Sequence, residues 1–167
     1  MKIQAQTNDQ LTRLCELIEP IHVAMLTTVG DDEALTSRPM SVLEVDSQGK
    51  FWFYTRASSQ KVKHLHPMNL AFADMGRSNY VSIAGSGLLV RDAARIRALW
   101  TPFAKPWFPM GPDSADLALI EFTPDTAEFW DAPNSKMVRL FAVAASVVAG
   151  RPVAMGDHAM LTGLAEN

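Results

Sequence analysis

The chain has 167 residues, 48% of them hydrophobic and 20% charged, an ordinary globular composition with enough length for one domain and a sizeable core. It excludes intrinsic disorder, collagen-like repeats and coiled coils. A formal net charge of -3 disfavours a non-specific nucleic-acid binder, and the single cysteine, Cys15, rules out an intrachain disulfide framework or a cysteine-built zinc site.

At the N-terminal end, Asn8 or Asp9 is positioned to cap a helix whose apolar stripe is Leu11, Leu14, Cys15 and Ile18. Cys15 lies on that stripe and reads as a small core residue. Residues 22–29 form a short β-branched run that ends in the turn signal Gly30-Asp31-Asp32. Residues 35–45 alternate, with Thr36, Arg38, Met40 and Val42 on one face. After the turn Asp46-Ser47-Gln48-Gly49 comes the aromatic run Phe51-Trp52-Phe53-Tyr54-Thr55. These three segments read as an antiparallel meander.

Ser58 or Ser59 then caps an expected helix over residues 59–66, which Pro67 ends. Strands are expected at 70–75 and at 80–90, where Gly85 and Gly87 suggest close backbone approach or sharp coiling. Asp92 caps a helix that runs to Trp100. Residues 101–114 hold five prolines and glycines among Phe103, Trp107, Phe108 and Met110. A loop so long and so apolar must pack onto something. Two further strands, 117–122 and 127–130, and a helix over 136–149 complete the pattern.

There is no repeat or linker, so a single domain is expected over residues 1–167. The fold class is mainly β (α+β), a small antiparallel barrel with peripheral helices. A strand as aromatic on both faces as 51–54 requires cover on its outer side, and a second copy of the chain is the expected cover. The N-terminus lacks the apolar core of a signal peptide. The longest apolar stretch, 140–149, is far below the ~20 residues that cross a bilayer. A cytoplasmic protein with no nucleic-acid or membrane partner is expected.

The usual nucleotide cradles and nucleophile elbows are absent. His64 and His66, two apart on a helix, cannot jointly hold a metal, so no metal site is expected. What remains is a group of basic and hydroxyl residues: Arg38 in mid-strand, Tyr54 and Thr55 at a strand end, and Ser58, Ser59 and Lys61 at a helix start. Such a set can make a phosphate pocket without a glycine loop. The same residues also fit a plainer arrangement, with Arg38 paired to a surface acid, Lys61 in water and the serines only capping.

The stretches Ser37-Arg38-Pro39-Met40, Phe51 to Thr55 and Ser58-Ser59-Gln60-Lys61-Val62 resemble the pyridoxamine 5′-phosphate oxidase-like family of FMN-binding split barrels, and its general stress protein branch in particular. Tyr80 to Gly85, Leu99 to Gly111 and Glu128-Phe129-Trp130-Asp131 extend the likeness. The resemblance implies a six-stranded antiparallel split β-barrel. It implies a homodimer with two flavin sites at the interface, holding FMN or alternatively FAD. It places Arg38 and Lys61, helped by Ser59, on the cofactor phosphate. Pro39, Met40, Tyr54 and Thr55 would line the ribityl chain and ring, and Trp130 matches an aromatic that the partner subunit brings. Tyr80 and Trp107 are further cofactor-binding candidates, and Trp107 fits a dimer core equally well.

A flavin needs a flat apolar slot and donors at its N1–C2 edge, where negative charge collects on reduction. Unlike pyridoxamine phosphate oxidases proper, the chain has no Arg-rich C-terminal segment to grip a substrate phosphate, which speaks against vitamin B6 oxidation. Three functions stay open at this point: a flavin-dependent oxidoreductase linked to stress, a module that binds flavin or another flat cofactor without turnover, and a cofactor-free barrel. No residue stands out as catalytic.

Overall fold

The computed structural model describes residues 1–131, 157–162 and 164; the helix expected over 136–149 lies outside the described residues. In chain order the elements are β1 (Lys2–Ile3), α1 (Asp9–Ile18), β2 (Val23–Val29), β3 (Leu35–Ser41), β4 (Glu44–Val45), β5 (Phe51–Arg56), β6 (Met68–Asp74), β7 (Asn79–Val90), α2 (Ala93–Leu99), β8 (Leu117–Asp131) and β9 (Asp157–Thr162). All nine strands belong to one curled sheet in the order β1-β4-β5-β8-β7-β6-β2-β3, with β9 on β8. The seven strand segments expected from the sequence fall, among the described residues, on β2, β3 with β4, β5, β6, β7 and β8. The short β1 and the C-terminal β9 raise the count to nine.

Both early helices form where their caps lie. Asn8 Oδ1 accepts from the Leu11 amide at 2.8 Å, and Asp92 Oδ1 accepts from the amides of Ala94 and Arg95 at 2.8 and 3.1 Å. The apolar stripe of α1 is buried against the sheet, with Leu14 and Ile18 fully enclosed.

Three expectations change. The alternating run 35–45 is two strands, because its first part pairs with β2 and its end with β5. The two strands expected at 117–122 and 127–130 are one, β8. Pro124 there lacks an N–H, and the chain absorbs it with a bulge: Ala84 faces Thr126 while Gly85 faces Pro124, leaving Asp125 without a partner opposite. Gly85 is required at that point, since a Cβ would lie 2.2 Å from the Thr123 carbonyl oxygen. The helix expected over 59–66 is a single 3-10 turn, Gln60–Lys63, and Ser59 at its start makes no side-chain cap. Ser58 is bound elsewhere: its amide and hydroxyl donate to Asp116 at 2.8 and 2.6 Å.

β5 explains how the molecule is layered. Alternate residues of a strand face opposite ways. Phe51 and Phe53 enter the main core with Leu26, Leu70, Phe72, Ile83 and Phe122. Trp52 and Tyr54 enter a second core with Ile96, Leu99, Ala104, Phe108, Leu117 and Leu119. The outer face of the aromatic strand is therefore covered by this chain's own α2 and the 101–114 loop. A second copy is not needed there. Among the described residues, no helix is long and apolar enough to cross a membrane.

A buried carboxylate fixes the join between α2 and the sheet. Glu44 is 1% exposed, accepts from Gln4 Nε2 at 2.9 Å, and pairs with Lys2 Nζ at 3.1 Å and with Arg95. Arg95 also lies over the Trp52 ring, 4.5 Å from its centroid. Burial alone would raise the Glu44 pKa. Hydrogen bonds from Gln4 and Lys2 and the charges of Arg95 and Lys2 outweigh it and hold the carboxyl below its ordinary value.

Candidate functional site

Between the end of β3, the end of β5 and the 101–114 loop lies a cleft of about 710 Å³. Seven of the ten expected site residues belong to it or border it closely. Pro39 and Met40 come from β3, Tyr54 and Thr55 from β5, Ser59 and Lys61 from the 3-10 turn, and Trp107 from the loop. Pro39 is tolerated because β3 is the edge strand. The loop rolls into two 3-10 turns, Pro102–Ala104 and Gly111–Asp113, and anchors through buried Ala104 and Phe108.

Arg38, another of the ten expected residues, is not among those that line the cleft. It lies opposite Leu26 in the β2–β3 ladder, and its Nη1 donates to Thr28 Oγ1 at 3.1 Å. Thr28 is buried, so the guanidinium is drawn inward. Burial lowers the Arg38 pKa. Burial lowers the Lys61 pKa too, and the positive charge of Arg38 lowers it further, which sets the two cations in each other's field. Lys61 Nζ donates to Ser59 Oγ at 3.4 Å. Among the described residues neither cation forms an ion pair, and no carboxylate, histidine or cysteine lines the cleft. Two half-buried like charges with no acid paired to either leave positive charge uncompensated on this side of the molecule.

The opposite wall is aromatic. Tyr54 packs on Trp100 and Phe108, with centroids 5.8 and 6.2 Å apart. Its hydroxyl donates to the Ile96 carbonyl at 3.5 Å, and burial pushes its pKa up to about 12, so it stays a neutral phenol.

Tyr80 and Trp130 lie elsewhere. They face each other across β7 and β8 and line a separate apolar concavity of about 370 Å³ with Val23, Met25, Ala71 and Ala73. They do not line the cleft that holds Lys61. Sequence reasoning missed Ser41, Leu43, Arg56, Thr101, Phe103, Ala104 and Phe108 as cleft residues. The apolar character of the 101–114 loop was the signal that could have found the last four. Arg56, at a strand end, offered none.

A curled, largely antiparallel sheet flanked by helices is the architecture of the split barrels. The family model described as pyridoxamine 5′-phosphate oxidase like matches residues 9–153, and the chain belongs to that family. Protein bli-3 of Neurospora crassa is 25% identical over 142 residues, which span 77% of this chain and 68% of the fungal protein. The general stress FMN/FAD binding protein of Xanthomonas citri is 26% identical, with a TM-score of 0.65 over 77% of this chain and 93% of that one. A Jannaschia sp. CCS1 protein assigned to general stress protein 26 shares the fold at a TM-score of 0.72, with 23% identity over 92% of this chain and 98% of that one.

Proposed function

We propose that the protein binds a flavin, FMN or FAD, and uses it as an oxidoreductase in a stress-linked role. One observation carries the reading: Lys61, in the positive field of Arg38, lines a cleft that has an aromatic wall and no acid among its described residues. Arg38 and Lys61 would hold the phosphate, with the Ser59 hydroxyl beside Lys61. Pro39, Met40, Tyr54, Thr55 and Trp107 would enclose the remainder and exclude water. A bound flavin supplies the capacity to accept and return electrons. The similarity to the Xanthomonas citri FMN/FAD binding protein supports the same cofactor class.

A homodimer is part of this proposal. Val23, Met25, Tyr80 and Trp130 leave an apolar concavity on the sheet that a second copy would cover, and Tyr80 and Trp130 would reach a flavin only as the partner's contribution. A cytoplasmic setting is also proposed, in keeping with the free, buried Cys15, whose thiol burial pushes up to about 11.

A second reading, a flavin holder without turnover, is favoured by the lack of any carboxylate, histidine or cysteine among the described cleft residues. Denaturing the purified protein and identifying the released molecule by mass tests the binding claim: FMN or FAD at one per chain is expected, and a protein that neither carries nor takes up flavin refutes it. Reduction by NADH or NADPH followed by reoxidation with an added acceptor separates the two readings. Turnover supports the oxidoreductase, and its absence with every donor tried leaves the holder.

A further inference from the structure

The cleft lining holds a second cation beside Lys61, one that the proposed phosphate pair does not account for. Arg56 is the last residue of β5 and lines the cleft, yet it is exposed. Its Nη2 donates to the Trp107 carbonyl at 3.3 Å, which ties the guanidinium to the loop. No ion pair holds it among the described residues. Asp116 feels its positive charge, but its oxygens accept from the Ser58 amide and hydroxyl. On the same cleft, Trp107 is 64% exposed and Phe103 is 89% exposed. A lone aromatic in water needs no explanation. Two aromatics on one cleft, next to an arginine that makes no ion pair among the described residues, match the needs of a ligand with a phosphate and a flat ring.

We propose that Arg56 and Phe103 form a second subsite, for an adenylate, next to Trp107: the guanidinium takes the phosphate, and the adenine stacks on the exposed Phe103 ring. The inference rests on the flavin reading and extends it outward from the Arg38–Lys61 pair. The adenylate has two sources, the adenylate half of FAD or a separate adenine nucleotide bound beside FMN.

The test uses the full chain stripped of small molecules, and the variants Arg56→Gln and Phe103→Ser, both at exposed positions that the fold tolerates. Isothermal titration gives the affinities for FMN and FAD, and AMP is then titrated into FMN-loaded protein. If FAD is the source, the wild type binds FAD at least fivefold more tightly than FMN, and each variant loses most of that ratio. If a separate nucleotide is the source, FMN-loaded wild type binds AMP, and each variant weakens that binding at least fivefold. Equal FMN and FAD affinities with no AMP binding overturn the subsite. So does an Arg56→Gln loss that is the same for FMN and FAD, which would put Arg56 in the first phosphate site. In both of these outcomes FMN still binds and the flavin reading stands. A protein that binds neither flavin refutes both.

Discussion

Replacing Lys61 by methionine separates a ligand-binding lysine from a structural one, because the two roles give opposite signs in the ligand-free protein. In that state Lys61 makes one long hydrogen bond, to Ser59 Oγ at 3.4 Å, and its charge is opposed by burial and by Arg38. Losing a bond of that kind costs at most about 0.5–1 kcal/mol. Removing a half-buried charge that faces another cation returns a comparable amount. Stability without ligand is therefore expected to stay within about 1 kcal/mol of wild type, or to rise. With FMN the lysine gains a phosphate, and losing a charge-assisted hydrogen bond costs about 1.5–3 kcal/mol. At 1.4 kcal/mol per decade that is a drop in FMN affinity of roughly 10- to 150-fold. Riboflavin, which lacks the phosphate, should bind wild type and variant alike. Urea unfolding of the ligand-free protein and calorimetric titration of both flavins measure all three quantities. A clear loss of ligand-free stability, or an equal loss of FMN and riboflavin affinity, would refute the reasoning.

Affinity for FMN should also fall in alkaline solution. The folded-state pKa of Lys61 is lowered below 10.5 without ligand, and a bound phosphate raises it, so affinity is constant below the first value and declines above it; affinity that rises with pH, or holds steady to pH 10.5, contradicts this. The Glu44 carboxyl has a folded pKa below its usual 4.5, so its contribution is present above that value and lost as pH falls through the folded one. Arg95→Met should cost about 2–3 kcal/mol near neutral pH by uncovering Glu44, and flatten the acid loss of stability, as read by urea unfolding between pH 3 and pH 7. Gly85→Ala should cost about 3 kcal/mol or more, since its Cβ meets the Thr123 carbonyl at 2.2 Å, whereas Gly87→Ala meets the movable Met68 Sδ at 2.7 Å and should cost about 1 kcal/mol; equal thermal shifts would contradict the bulge argument.

Much of this architecture could be read from local signals. Asn8 and Asp92 marked their helices because a side-chain oxygen before an apolar stripe satisfies otherwise orphaned amides. The β-branched and aromatic runs marked β2, β5 and β7. Signals that depend on partners far along the chain were not legible. The expected gap between 117–122 and 127–130 holds Pro124, and only the facing Gly85 lets β8 continue through it. Ser59 and Pro67 bracket a 3-10 turn as readily as an α-helix, so the type of turn could not be told apart. Arg38 and Lys61 stood out through the family resemblance, but their shared electrostatic field emerges only when β3 and the turn after β5 come together. The cover over Trp52 and Tyr54 was assigned to a second copy because nothing local links them to α2, some 40 residues on.

A crystal structure of the protein with FMN tests the central claim most directly. The account expects phosphate oxygens within about 3 Å of both the Arg38 guanidinium and the Lys61 ammonium, at charge-assisted hydrogen-bond distance, with the ring against the wall that Tyr54 belongs to. A phosphate held elsewhere, with those two side chains turned to solvent, would contradict it.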